Sequence, residues 1–127
     1  MQNSSTEILQ KKIYKLAEKI SLPKENIPEF NKYPVGEVGA YLSFEDNNYH
    51  YIVFERSKEK SRRTTDDENL FLYWIFYDLI ANHALLLVAK NTDDSSIDAK
   101  QIRNKRHELM AQLDKSWGQR IKEKLKL

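Results

Sequence analysis

Near the N-terminus, Leu9, Ile13, Leu16 and Ile20 recur every three or four residues, the spacing of one apolar stripe on a helix. Ser4 and Glu7 have the spacing in which each side chain satisfies a backbone N–H at a helix start, so a helix is predicted from about Ser5 to Ile20. Lys11, Lys12, Lys15 and Lys19 lie mostly off the stripe, and Pro23 ends it. The stretch from Pro23 to Gly39 holds all three prolines and two of the three glycines, and reads as irregular chain. Ile27, Phe30 and Tyr33 are its expected anchors to the core.

The period then changes from helical to strand-like. Ala40 to Glu45 and Tyr49 to Arg56 are β-branched and aromatic, and they flank Asp46-Asn47-Asn48, residues that tolerate the positive φ of a tight hairpin turn. In the second strand His50, Ile52 and Phe54 share one face and Tyr49, Tyr51 and Val53 the other. Apolar character on both faces makes it a central strand. Glu59 to Thr64 fits a third, whose Lys and Arg suit an exposed edge. Thr65-Asp66-Asp67-Glu68 repeats the capping signal and opens a helix expected from Asp66 to about Lys90. Leu70 to Tyr77 is unbroken apolar chain, and Leu79 to Ala89 is interrupted only by Asn82 and His83, so this is the buried central helix. As a membrane span it would hold Asp78 near its middle, at a cost of ~3 kcal/mol. After a polar loop at Asn91 to Ser96, an amphipathic helix begins near Ser96. Ile102, Leu109, Met110 and Leu113 form its inner stripe, continued by Trp117, Ile121 and Leu125, with a break near Asp114 and a new cap at Ser116. The expected fold is α+β: an N-terminal helix, a small antiparallel β-sheet of two or three strands, then two long C-terminal helices packed on it. At 127 residues, without linker or repeat, the chain reads as a single domain over 1–127.

Composition narrows the function classes. There is no cysteine, which removes disulfides, thiol catalysis and cysteine-built zinc sites. The formal charge is only +2 and the charges read as interspersed, so no nucleic-acid partner is expected. A polar N-terminus without an apolar signal core makes the cytoplasm the expected compartment, with no membrane partner.

Candidate chemistry is sparse. His50, His83 and His107 lack the four-residue spacing of a helical metal site, and no metalloprotease, serine-hydrolase or phosphate-loop motif occurs. No catalytic residue, metal site or cofactor is expected. Asp78 and Asn82 stand one turn apart on an apolar helix. They read as a buried structural polar pair held by a basic or phenolic side chain, the alternative being a small enzyme using Asp78 with His50 or His83. Lys58, Lys60, Arg62 and Arg63 are surrounded by carboxylates, which fits a solvated edge or a protein contact.

One run is more specific than any of these. Tyr49-His50-Tyr51, Glu55-Arg56, Arg63, Thr65, Asp67, Leu72-Tyr73-Trp74-Ile75-Phe76 and a late Trp117 ahead of a basic helix together resemble the Immunity protein 63 family of bacterial toxin-neutralising proteins. Ser57 stands where that family often has glycine, and Glu68-Asn69-Leu70-Phe71 and Asn91 to Lys100 depart from its pattern. The resemblance implies a non-enzymatic protein that binds and neutralises a cognate toxin in a polymorphic toxin system of bacterial competition. A small adaptor or regulatory domain without catalysis is the alternative. If a toxin binds, Tyr49, Tyr51, Glu55, Arg56, Arg62 and Arg63 are the expected contacts, because Tyr and Arg dominate buried hot spots and a strand edge offers main-chain hydrogen bonds. The competing arrangement places Tyr49 and Tyr51 under another element and pairs Arg56 with Asp66 or Asp67.

Overall fold

The first helix, α1 (Gln2–Lys19), starts upstream of Ser4, so Ser4 lies within its first turn and not at the position before it. The computed structural model describes residues 2–90 and 97–127. Leu9, Ile13 and Ile20 are buried as the stripe requires, together with Ala17. The helix ends on a hydrogen-bonded reversal before Pro23 is reached: Ser21 takes φ 56°, its N–H donates to Glu18 O, and Leu22 N–H donates to Ala17 O at 3.0 Å. That pattern closes a helix C-terminus around a left-handed residue.

Ile27 is buried and Phe30 half-buried, but Tyr33 is 74% exposed and anchors nothing. Glu29 and Asn31 bond Leu42 through main-chain groups, so Phe30 forms a short parallel bridge along the sheet edge.

The sheet has three antiparallel strands in sequence order, β1 (Val38–Glu45), β2 (Asn48–Glu55) and β3 (Lys58–Thr65). Both connections are two-residue turns with positive φ at both positions: Asp46 and Asn47 at 54° and 62°, Arg56 and Ser57 at 55° and 62°. That conformation matches the twist of the strands it joins, and Asn and Asp adopt it readily. Arg and Ser do so at a cost. The second turn is fastened instead: Ser57 Oγ donates to Gly36 O and Ser57 N–H to Glu37 O, both at 3.0 Å. Glu55 therefore pairs with Lys58 as Glu45 pairs with Asn48.

Helix α2 (Glu68–Lys90) starts two residues later than the Thr65 box implies. Thr65 Oγ1 accepts from Asp67 N–H, and Asp67 Oδ1 accepts from Asn69 and Leu70 N–H at 2.9 and 3.2 Å, so Asp67 is the cap. Burial follows the sequence in its first turns, where Phe71, Leu72, Tyr73, Ile75 and Phe76 are all enclosed. Each fully buried Phe contributes roughly 2–3 kcal/mol relative to exposure. Further along, Leu85 and Leu86 are exposed at 41% and 55%, so this part of the helix is not covered on every side.

Helix α3 (Ala99–Leu113) starts on Asp98, which exchanges hydrogen bonds with Gln101; the expected start at Ser96 and the loop before it lie outside the described residues. Asp114 is extended and ends α3 while capping α4 (Lys115–Leu125). Ser116, the expected cap, instead donates its hydroxyl to Asp114 Oδ1 at 2.6 Å.

The described chain divides into two compact units: Met1–Lys15 with Pro23–Ile75, and Leu16–Leu22 with Phe76–Leu127. The first holds the sheet. The second is helical, and there Phe76 stacks on Trp117 with ring centres 6.0 Å apart.

Candidate functional site

The expected contact residues are built by β2, β3 and the turn between them. Cross-strand partners share a face, so Tyr49, Tyr51 and Arg63 lie on one side of the sheet with Leu42 and Phe44, and Tyr41, Ile52, Phe54 and Arg62 on the other.

The first of these faces is occupied. Tyr49 stacks on Phe71 of α2 at 4.9 Å and 20°, and meets Phe44 at 4.8 Å. Burial and then the nearby Glu68 raise the Tyr49 phenol above its ordinary range. Tyr51 is 4% exposed, with the Arg63 guanidinium 5.1 Å above its ring and 5.6 Å from that of Trp74. Both tyrosines are thus committed to packing beneath α2 and Arg63.

On the opposite face Tyr41, Ile52 and Phe54 form a buried cluster, with the Tyr41 and Phe54 rings 5.9 Å apart. Arg62 grips Glu59 with two hydrogen bonds, Nη2 to Oε1 at 2.7 Å and Nε to Oε2 at 3.1 Å. Residues three apart on a regular strand point to opposite faces. Here Val53 pairs with Ser61 and Phe54 with Glu59, leaving Lys60 as an extra bulged residue, and the bulge turns Glu59 to the Arg62 side. The Arg62 bonds hold the Glu59 carboxyl below its usual range. Lys60 in turn donates to Glu55 at 2.8 Å and lowers the Glu55 carboxyl. These pairs are solvent-exposed and contribute little to stability. Arg56, at the tip of the turn, is exposed and has no carboxylate partner among the described residues. Of the six expected contacts, Tyr51 is buried and Tyr49 half-buried, while Glu55, Arg56, Arg62 and Arg63 are exposed and stand on two faces and a turn.

Asp78 and Asn82 are not the buried pair expected: Asp78 is half-buried and Asn82 exposed. On this stretch of α2 the buried side belongs to Ile80, His83 and Ala84, and Asn82 points away from it. His83 is the buried polar residue, and its Nε2 donates to Ile20 O at 2.8 Å. His50 Nδ1 lies 2.8 Å from Thr64 Oγ1 on the sheet. Among the described residues no group of three His, Asp or Glu is placed to hold a metal. A depression of about 340 Å³ beside β1 is lined by Phe30, Lys32, Leu42, Phe44 and Glu45 among others, and none of the three histidines nor Asp78 lines it.

The sequence reading missed Gly118. A Cβ there would sit 2.7 Å from Ala111 Cβ and 2.8 Å from Ala111 Cα, so only glycine lets α3 and α4 approach this closely. A glycine between Trp117 and a basic run was the available signal.

The described residues define an α+β protein, with a three-stranded antiparallel sheet and four α-helices. The model of the Immunity protein 63 family matches residues 45–126, from the end of β1 to the end of α4, and the chain belongs to that family. No curated protein and no solved structure matches it.

Proposed function

We propose that this chain neutralises a bacterial protein toxin by binding it directly, without catalysis, in the cytoplasm of the cell that makes both. The observation that carries this reading is membership of an immunity-protein family over residues 45–126. The hydrogen-bonding side chains described above support it, since their partners are structural: caps at Asp67, Asp98 and Asp114 and the carbonyl bonded by His83. Exposed arginines and lysines supply what a protein interface uses for orientation and specificity.

The test is co-expression with the toxin domain encoded by the adjacent gene, in a host that this domain kills. Growth is expected to be restored by the intact chain. Death of cells that hold both proteins in soluble form would remove the immunity reading and leave an adaptor of unrelated partner.

A further inference from the structure

The formal charge of +2 conceals an uneven distribution. From Ala99 to Leu127 stand nine Lys and Arg against three carboxylates, Glu108, Asp114 and Glu123, so this segment holds +6 and the rest of the chain −4. The three carboxylates are engaged locally. Glu108 pairs with Lys105 at 3.3 Å, Asp114 accepts the first amides of α4, and Glu123 accepts from the Gln119 side chain. Trp117, Gly118 and Ile121 take the buried side of α4. Lys115 and Lys122 are seven residues apart on one exposed stripe of α4, Lys126 follows at its left-handed C-cap, and none of the three has a carboxylate partner among the described residues. Like charges gathered this way repel each other in the free protein, and a negative surface laid over them converts that repulsion into attraction.

A second observation concerns Tyr77, half-buried on α2. The Arg106 guanidinium from α3 lies 5.1 Å from its ring centre and the Lys124 ammonium from α4 5.2 Å. Arg106 Nε is buried with no hydrogen-bond partner among the described residues. The guanidinium is thus positioned by an aromatic ring and not by a carboxylate, which leaves its outer N–H groups for an incoming acceptor. Tyr and Arg side by side are the residue types that anchor protein interfaces.

We propose that α3 and α4 form the toxin-docking face, that its complement on the toxin is an acidic protein surface, and that Tyr77, Arg106 and Lys124 are its anchor. The proposal rests on the immunity reading above. The family match makes the expected occupant a protein, and a nucleic acid, which the same cations would also attract, is an outcome of the test below.

The experiment titrates a catalytically inert form of the adjacent gene's toxin domain with wild-type chain and with three folded variants. One carries Lys115→Glu, Lys122→Glu and Lys126→Glu together, one carries Lys124→Glu alone, and one carries Arg62→Ala. The triple variant is expected to bind at least about tenfold more weakly, Lys124→Glu several-fold more weakly, and Arg62→Ala within about twofold of wild type. Wild-type affinity is expected to fall about tenfold or more between about 50 and 500 mM salt. A short DNA duplex is titrated in parallel and is expected to bind far more weakly than the toxin. The proposal is overturned if the triple variant binds like wild type, if Arg62→Ala alone abolishes binding, or if the duplex competes with the toxin for the same face. Failure of the wild-type chain to bind the toxin at all strikes instead at the immunity reading.

Discussion

At the scale of single residues, capping carboxylates decide where helices begin, and they also show the limit of reading motifs from spacing. Thr65 and Glu68 match a capping box on paper, yet Asp67 accepts the free amides of α2 because Thr65 is held as the last residue of β3. Asp67→Ala should therefore cost about 1 kcal/mol in denaturant unfolding, whereas Thr65→Ala should cost less. Tyr14 gives a titration test. Burial, and then the hydrogen bond it donates to Glu29, push its phenol from 10.0 up to about 12. A phenol whose folded value is raised stabilises the fold fully below the unfolded value and loses that contribution as pH climbs from 10.0 towards 12. Tyr14→Phe should remove one late phenolate transition from an ultraviolet titration and flatten the alkaline loss of stability. Asp78 illustrates the opposite failure. A carboxylate on an apolar helix suggests burial, but the position of a residue around a helix that is apolar on all sides cannot be fixed by period, because every rotation gives the same pattern.

At the scale of elements, most of the architecture was legible because hydrophobic period is a strong signal. The change from helical spacing to alternation near Ala40 placed the sheet, and apolar residues on both faces of β2 placed it centrally. Geometry that depends on pairing was not legible. The Lys60 bulge exists only relative to β2, and the Phe30 bridge only relative to Leu42. The turn at Arg56 and Ser57 is likewise set by register, since neither residue favours positive φ. Replacing that pair by Asn-Gly should stabilise the hairpin by about 1 kcal/mol, less whatever the Ser57 bond to Gly36 contributes, measured by thermal or urea unfolding. Gly118 gives the sharper test. Gly118→Ala presses a methyl group onto Ala111, including its backbone, and should cost about 1–3 kcal/mol by forcing α3 from α4. Adding Ala111→Gly should recover only part of this, because the contact with Cα remains.

At the scale of the whole molecule, the family was legible, while the distribution of charge and the exposure of the tyrosines were not. The Tyr49 to Phe76 run carried the resemblance, and the family match over 45–126 bears it out. Net charge hides the distribution, because summing over 127 residues cancels a basic helical pair against an acidic remainder. The placement of Tyr49 and Tyr51 was not legible either: exposed Tyr anchors and packed Tyr core residues have the same sequence signature, and only the position of α2 and Arg63 separates them. The central claim is that the chain neutralises a toxin by occupying it. The most direct measurement is a titration of purified toxin domain, taken from the adjacent gene, with purified chain while toxin activity and complex size are followed together. The account predicts that activity falls linearly to zero at a fixed molar ratio, at which both proteins elute as one complex. Undiminished activity in excess chain, with the two proteins eluting separately, would contradict it.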